Sequence, residues 1–382
     1  MVAFVAAALD LSCNVADHRA ARALATLGPD GLQILLVLPR QAAATRTSMQ
    51  HRGHTPPFLE PDGSLTPGSI AEVVSMRLGG LDQWVMIRGH DCGNPPLIVL
   101  HGGPGFSETR LFRHHNGALE RDFTVVYWDQ RGTAKSYDET IPRSSMTVEQ
   151  FIRDLDELVD EVRRRLNQKK VTLFGHSWGS VLGVLYASRF PAKVASYVGS
   201  GQIGDWPDAE ARSYAYAVEE AERRQDRRAL RELREIGAPP YGVDELWRER
   251  TCLQRFEGKL GVKPLWNLAR VVLAGPEYTL GDLPRLLHGF RFSLEAMWPE
   301  VSRIDLTKLV PSLKIPTFFF LGRHDRWVPA ENSTAFIDGL RAPSKTLLWF
   351  ENSGHEPFVD EPARFNASMV ERVRPVSLES SR

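Results

Sequence analysis

The chain has 382 residues, 42% hydrophobic and 25% charged, the proportions of an ordinary globular protein. Its 47 basic and 47 acidic residues cancel, so no global field favours nucleic acid or an anionic membrane as a partner. No stretch approaches the ~20 apolar residues of a membrane helix, and Cys13, Cys92 and Cys252 are too scattered for a disulfide framework or a zinc site. A reducing cytoplasm fits that cysteine usage.

Residues 1–68 read as an N-terminal extension, poorly ordered in its Thr-, Pro- and Gly-rich part over 41–68. Met1–Leu11 lacks a basic n-region and contains Asp10, so it is not read as a signal peptide. A short helix fits Asp17–Leu27. Met49 is an alternative translation start, which would make 1–48 spurious; an intact mass that includes Met1 rejects it.

From Ile70 the pattern becomes regular. Glu72–Leu78 and Gln83–Arg88, separated by Gly79-Gly80-Leu81-Asp82, predict a β-hairpin. Leu97–Leu100 and Phe123–Trp128 read as buried strands. Val148, Phe151, Ile152, Leu155, Leu158, Val159 and Val162 recur at helical spacing within Thr147–Leu166. Further strands are expected at Val171–Phe174 and Ala195–Val198. This alternation predicts a doubly wound, mostly parallel α/β sheet.

The rhythm breaks over 205–310, which is helical, charged and aromatic, with Ala209–Ile236 nearly one helical pattern. It resumes at Thr317–Gly322. The expected organisation is therefore a core of 69–204 and 311–382, with 205–310 inserted as a helical cap. The charge run Glu219–Glu235 reads as a solvated helix face.

The chemistry starts at Gly175-His176-Ser177-Trp178-Gly179, between a predicted strand and a predicted helix. A serine on such a turn is held in a strained backbone with its hydroxyl presented over the sheet edge. The pentapeptide recurs by chance, so its partners matter. A serine hydroxyl needs a base to take its proton and an acid to orient the base. On this fold they are expected in the order serine, acid, histidine. Asp325, just beyond the strand Thr317–Leu321, and His355, beyond the strand Lys345–Phe350, satisfy order and position. Alone, each would be read as a turn former or an ordinary polar residue. His324 competes with His355 but adjoins Asp325 and would contend for the same space.

Donors for a tetrahedral oxyanion are expected from the backbone N–H groups of Gly103, in His101-Gly102-Gly103-Pro104-Gly105, and of Trp178. The alternative of a phosphate-binding loop lacks the G-x-x-x-x-G-K-[ST] pattern.

The set HGGPG (101–105), WDQRG (128–132) with Ser136, GHSWGS (175–180), GRHD (322–325) and SGH (353–355) resembles the proline iminopeptidases, S33-group peptidases of the α/β-hydrolase superfamily. The resemblance spans roughly 70–204 and 311–372. It implies a helical cap over the catalytic pocket, no cofactor, a small-molecule or short-peptide substrate, and release of an N-terminal residue through an acyl-enzyme. It also implies acidic cap residues that hold the substrate's ammonium, one of them in a W-x-x-W-E-G segment. The nearest match, Leu253–Gly258, keeps Glu257 without either tryptophan. Two further departures are Ala134, where DQRG-x-G-x-S has glycine, and His176, where a second glycine precedes the serine. They bear on which residue is released. An esterase or amidase of the same fold is the alternative within the class, and a non-catalytic binding protein is the alternative outside it. Epoxide hydrolases and dehalogenases place an aspartate where Ser177 stands.

Overall fold

The computed structural model describes residues 53–257, 271 and 274–381. The predicted helix over Asp17–Leu27, Met49 and Gly258 lie outside the described residues.

Among the described residues eight strands form one sheet in the order β1-β2-β4-β3-β5-β6-β7-β8. Strands β1 (Ile70–Leu78) and β2 (Leu81–Gly89) make the predicted hairpin and pair antiparallel, as do β2 and β4 (Thr124–Trp128). The others, β3 (Pro96–Leu100), β5 (Val171–His176), β6 (Val194–Ser200), β7 (Thr317–Gly322) and β8 (Lys345–Phe350), are parallel. Side chains alternate between the sheet's faces, so neighbouring residues feed two separate cores. Ile98, Leu100 and Leu173 join one with helix α2 (Val148–Arg165) and helix α3 (Trp178–Arg189). Leu97, Val99 and Phe174 join the other with Phe112 of helix α1 (Thr109–Asn116) and with the C-terminal residues Phe358, Phe365 and Met369. Helix α2 starts where Thr147 accepts a hydrogen bond from the Gln150 N–H at 3.2 Å, satisfying one of the free donors of its first turn.

Residues 53–68 run as a loop on the hairpin side. Thr55 and the Pro56 carbonyl bond Arg88, whose guanidinium also lies over the Phe58 ring at 4.4 Å.

Between β6 and β7 lie helices α4 (Trp206–Arg223), α5 (Arg227–Ile236), α6 (Val243–Glu257) and α7 (Leu283–Val301). The long helical pattern over 209–236 is two helices. Gln225 adopts φ 55°, and the Asp226 carboxylate caps α5 by accepting from the N–H groups of Arg228 and Ala229. That cap competes successfully with continuing the helix, because Asp prefers such a position to a helix interior. The first three of these helices pack on one another through Ala217, Ala221, Leu233 and Leu253.

Candidate active site

Ser177 closes β5 and opens α3 with φ 53° and ψ −118°, a conformation that L side chains rarely occupy. The glycines two residues either side make the turn possible. A Cβ on Gly175 would lie 2.4 Å from the Gly179 carbonyl oxygen, and one on Gly179 would lie 2.0 Å from that of Leu100. The Ser177 N–H donates to the Ser200 carbonyl at 3.0 Å, and its own carbonyl accepts from the Ser180 hydroxyl at 2.6 Å. The elbow is thereby tied to β6 and to the first turn of α3.

Asp325 and His355, drawn from loops after β7 and β8, meet in the fold. His355 Nδ1 stands 2.9 Å from Asp325 Oδ2. A carboxylate only accepts, so Nδ1 carries the proton and Nε2 is left as the basic nitrogen. The other oxygen, Asp325 Oδ1, accepts from the N–H groups of Trp327 at 3.0 Å and Val328 at 2.9 Å. Both side chains are buried. The Trp327 ring stacks on the imidazole with centroids 5.8 Å apart. The competitor His324 is exposed. Ser177, Gly103 and His355 line one cavity between the ends of the strands and the helices above. Gly103 lies in the loop directly after β3, with φ 108°, and Trp178 begins α3.

The DQRG segment underpins this arrangement. The Gln130 side chain accepts from Trp178 Nε1 at 3.0 Å and donates to the His101 carbonyl at 3.3 Å, joining the serine turn to the glycine-rich loop. Asp129 accepts from the hydroxyls of Ser107 and Tyr278 at 2.6 and 2.7 Å. Arg131 pairs with Asp154 at 2.7 Å and donates to the Gly79 carbonyl at 2.8 Å. All three are buried. Ala134 adopts φ 45°, the left-handed region in which glycine is at ease.

The cap carries a second polar cluster. Arg250 donates to Glu210 at 2.6 Å and to Glu249 at 2.5 Å, and its guanidinium lies 5.3 Å from the Trp327 ring centre. Glu257 accepts from Trp327 Nε1 at 3.1 Å. Glu257 is only partly buried as a residue, yet its Oε1 is sealed from solvent without a hydrogen-bond partner. Burial, and then the charge of Asp325, pushes the Glu257 carboxyl up to about 8. Burial likewise lifts Glu210 to about 7 against the pull of Arg250. Glu210 lines the cavity with Gln254, while Trp206, Trp247, Phe290 and Trp298 make most of its upper wall apolar.

Glu210 and Glu249 carry no motif in the sequence. Among cap glutamates only their position beside Arg250 distinguishes them. Trp327 was equally silent, since the partners of its ring, His355 and Glu257, are distant in the chain. Among the described residues no three His, Cys, Asp or Glu side chains converge in a way that could hold a metal ion.

Comparison with known proteins agrees with this architecture. A family model described as the alpha/beta hydrolase fold matches residues 95–236. The chain is 35% identical over 309 residues to a protein named probable aminopeptidase YbaC of Bacillus subtilis (strain 168), covering 80% of this chain and 97% of that one. It is 26% identical over 288 residues to a proline iminopeptidase of Heyndrickxia coagulans, covering 72% and 89%. The solved structure of a proline iminopeptidase from Mycobacterium smegmatis matches with a TM-score of 0.58 at 18% identity, over 81% of this chain and all (100%) of that chain. The protein belongs to the α/β-hydrolase family and is a hydrolase of its proline-iminopeptidase-like branch.

Proposed function

We propose that the protein is an aminopeptidase that releases an N-terminal residue through an acyl-enzyme on Ser177. His355 takes the Ser177 proton as the hydroxyl attacks the scissile carbonyl, while Asp325 holds the imidazole in the required tautomer. The developing oxyanion is held by the N–H groups of Gly103 and Trp178. His355 then protonates the leaving amine, and water attacks the acyl-enzyme with His355 again as base. Core residues 69–204 and 311–382 supply this machinery, and the cap over 205–310 selects the substrate. The substrate is a small molecule or short peptide. Cys92 and Cys252 are free thiols, which suits the reducing cytoplasm we assign as its compartment.

The observation that carries the aminopeptidase reading is the carboxyl cluster of the cap, which reaches the cavity through Glu210 and adjoins Trp327 through Glu257. The carboxyl groups of Glu210 and Glu249 pair with Arg250, Glu257 lies close enough to feel its charge, and Oε1 of Glu257 is buried without a partner. A buried excess of acceptors beside the reacting centre is the environment an ammonium group requires. We assign Glu257 and Glu210 to the free N-terminus of the substrate. The apolar remainder of the upper wall favours one second reading, an esterase or amidase whose cap takes an acyl chain.

Parallel turnover of Pro-, Ala- and Leu-anilides against a short p-nitrophenyl ester series tests the choice. Aminopeptidase function requires the free-amine anilides to give the higher kcat/KM and their N-acetylated forms to be poor substrates. Preference for blocked substrates or esters would replace it with the esterase reading. Absence of Ser177-dependent fluorophosphonate labelling would point to a non-catalytic binding protein.

A further inference from the structure

His176 occupies the position before the nucleophile, and both of its ring nitrogens are engaged below the site. Nδ1 lies 2.6 Å from Glu108 Oε1, and Nε2 lies 3.0 Å from the His355 carbonyl oxygen. Both partners are acceptors, so both nitrogens carry protons and the ring is an imidazolium paired with a carboxylate. The pair is buried, with side chains 3% and 1% exposed. Glu108 has been diverted to this use. It stands at the N-cap of α1 yet makes no capping bond there. The same Oε1 instead accepts from the Gly102 N–H at 3.2 Å.

Three loops therefore converge on two side chains. Glu108 holds the loop that carries Gly103, His176 is the immediate neighbour of Ser177, and the imidazolium grips the backbone of His355. We propose that His176 and Glu108 form a positioning pair that fixes the oxyanion loop and the His355 loop relative to the nucleophile. The inference rests on the serine-hydrolase reading of Ser177 but not on the choice between peptide and ester substrates. Neither residue touches the reacting atoms in this role. They act by holding those that do, where a displacement of about 1 Å can cost about a hundredfold in rate.

The pair also sets a pH limit. The groups facing His176 are Glu108 from the loop before α1, and the His355 ring, 4.6 Å away centre to centre, with Glu356, both from the loop after β8. His101 faces Glu108 from the end of β3 and is itself held below its ordinary value by burial. Burial alone would neutralise His176, but the charge and hydrogen bond of Glu108 outweigh it and lift the ring to about 9. The ion pair is thus intact at neutral pH and is lost as pH rises through about 9.

The test uses p-nitrophenyl butyrate turnover and fluorophosphonate labelling of the full chain, with Ser177→Ala as the reference for serine dependence. In His176→Phe, which keeps a ring but no donor, kcat should fall about a hundredfold with KM within about twofold. Glu108→Gln, with its amide NH2 turned to His176 Nδ1, lets a neutral ring keep its bond to the His355 carbonyl at the expense of the Gly102 contact. It should lose only about tenfold below pH 8 and should lack the fall in kcat near pH 9 that the native protein is expected to show. A folded His176→Phe protein with native kcat overturns the proposal. So does a Glu108→Gln protein that retains the native alkaline fall, and this second readout decides the matter if His176→Phe does not fold. Turnover that survives Ser177→Ala would instead remove the serine-hydrolase reading itself.

Discussion

Asp325, below the cavity, and the cap glutamates above it are built on opposite principles. Below, the Asp325 carboxylate is fully partnered: it accepts from His355 and from two backbone N–H groups. Above, Glu257 keeps a buried oxygen with no partner, and burial raises the carboxyls of Glu210 and Glu257 to about 7 and 8. Buried polar atoms are satisfied in the great majority of cases, so an exception requires a reason. A preorganised lower wall suits a reaction that must not reorganise its dipoles as charge develops. An upper wall with surplus acceptors suits the recognition of a cation.

The sharpest separation of the two walls comes from substitutions below. Ser177→Ala should reduce kcat for every substrate by several orders of magnitude, on the scale of other triad knock-outs. Asp325→Asn, which leaves the shape but favours the wrong tautomer of His355, should cost about 10⁴-fold. Both losses should be equal for anilides and esters. A substrate-dependent loss would mean that the walls do not divide chemistry from recognition.

Substitutions above should discriminate. Glu257→Gln is expected to raise KM for free-amine anilides about tenfold or more, the value of one charge-assisted hydrogen bond, and to leave N-blocked esters within about twofold. Equal effects on both would remove Glu257 from recognition. The pH dependence carries the same contrast. Carboxyls raised to about 7 and 8 are largely protonated in mild acid and ionise as pH rises. KM for free-amine substrates should therefore fall between pH 6 and about 7.5, below the ordinary pKa of the substrate's own ammonium, while KM for esters stays flat. Glu257→Gln should flatten the amine curve. A native amine profile with no slope would exclude both carboxylates as its source.

The two walls also differed in how far the sequence disclosed them. Ser177, Asp325 and His355 could be proposed from the sequence because an α/β sheet brings its functional groups to the carboxyl ends of its strands, and those strands announce themselves as short apolar runs. Gly175 and Gly179 were legible for a similar reason, since backbone lies within 2.4 Å of any Cβ placed there. The cap offers no such rule. Its helices bury Glu210 and Glu249 by tertiary packing around Arg250, and helical periodicity does not separate a glutamate turned inward from one turned to solvent. The break at Gln225 and Asp226 was hidden likewise, because a single capping carboxylate outweighs the propensity of its neighbours. His176 showed as a departure from glycine, but its meaning depends on Glu108, far away in sequence.

Ala134 gives the smallest and most local test, on the DQRG segment that supports the lower wall. Its φ of 45° costs about 1–2 kcal/mol for a residue with a Cβ. Its methyl is fully buried beside Tyr278, which offsets that strain by about 0.8 kcal/mol. Glycine there would relieve the strain, lose the methyl contact and add about 0.4–1 kcal/mol of unfolded-state freedom. The terms nearly cancel, so Ala134→Gly should change unfolding free energy by less than about 1 kcal/mol and leave kcat unaltered. Ala134→Val meets the same backbone with a branched side chain in a filled site and should lose about 2 kcal/mol or more. Denaturant unfolding of the two variants reads the difference. If valine is tolerated as well as glycine, the backbone at 134 is not held in the left-handed region, and the support beneath the lower wall is looser than Asp129, Gln130 and Arg131 make it.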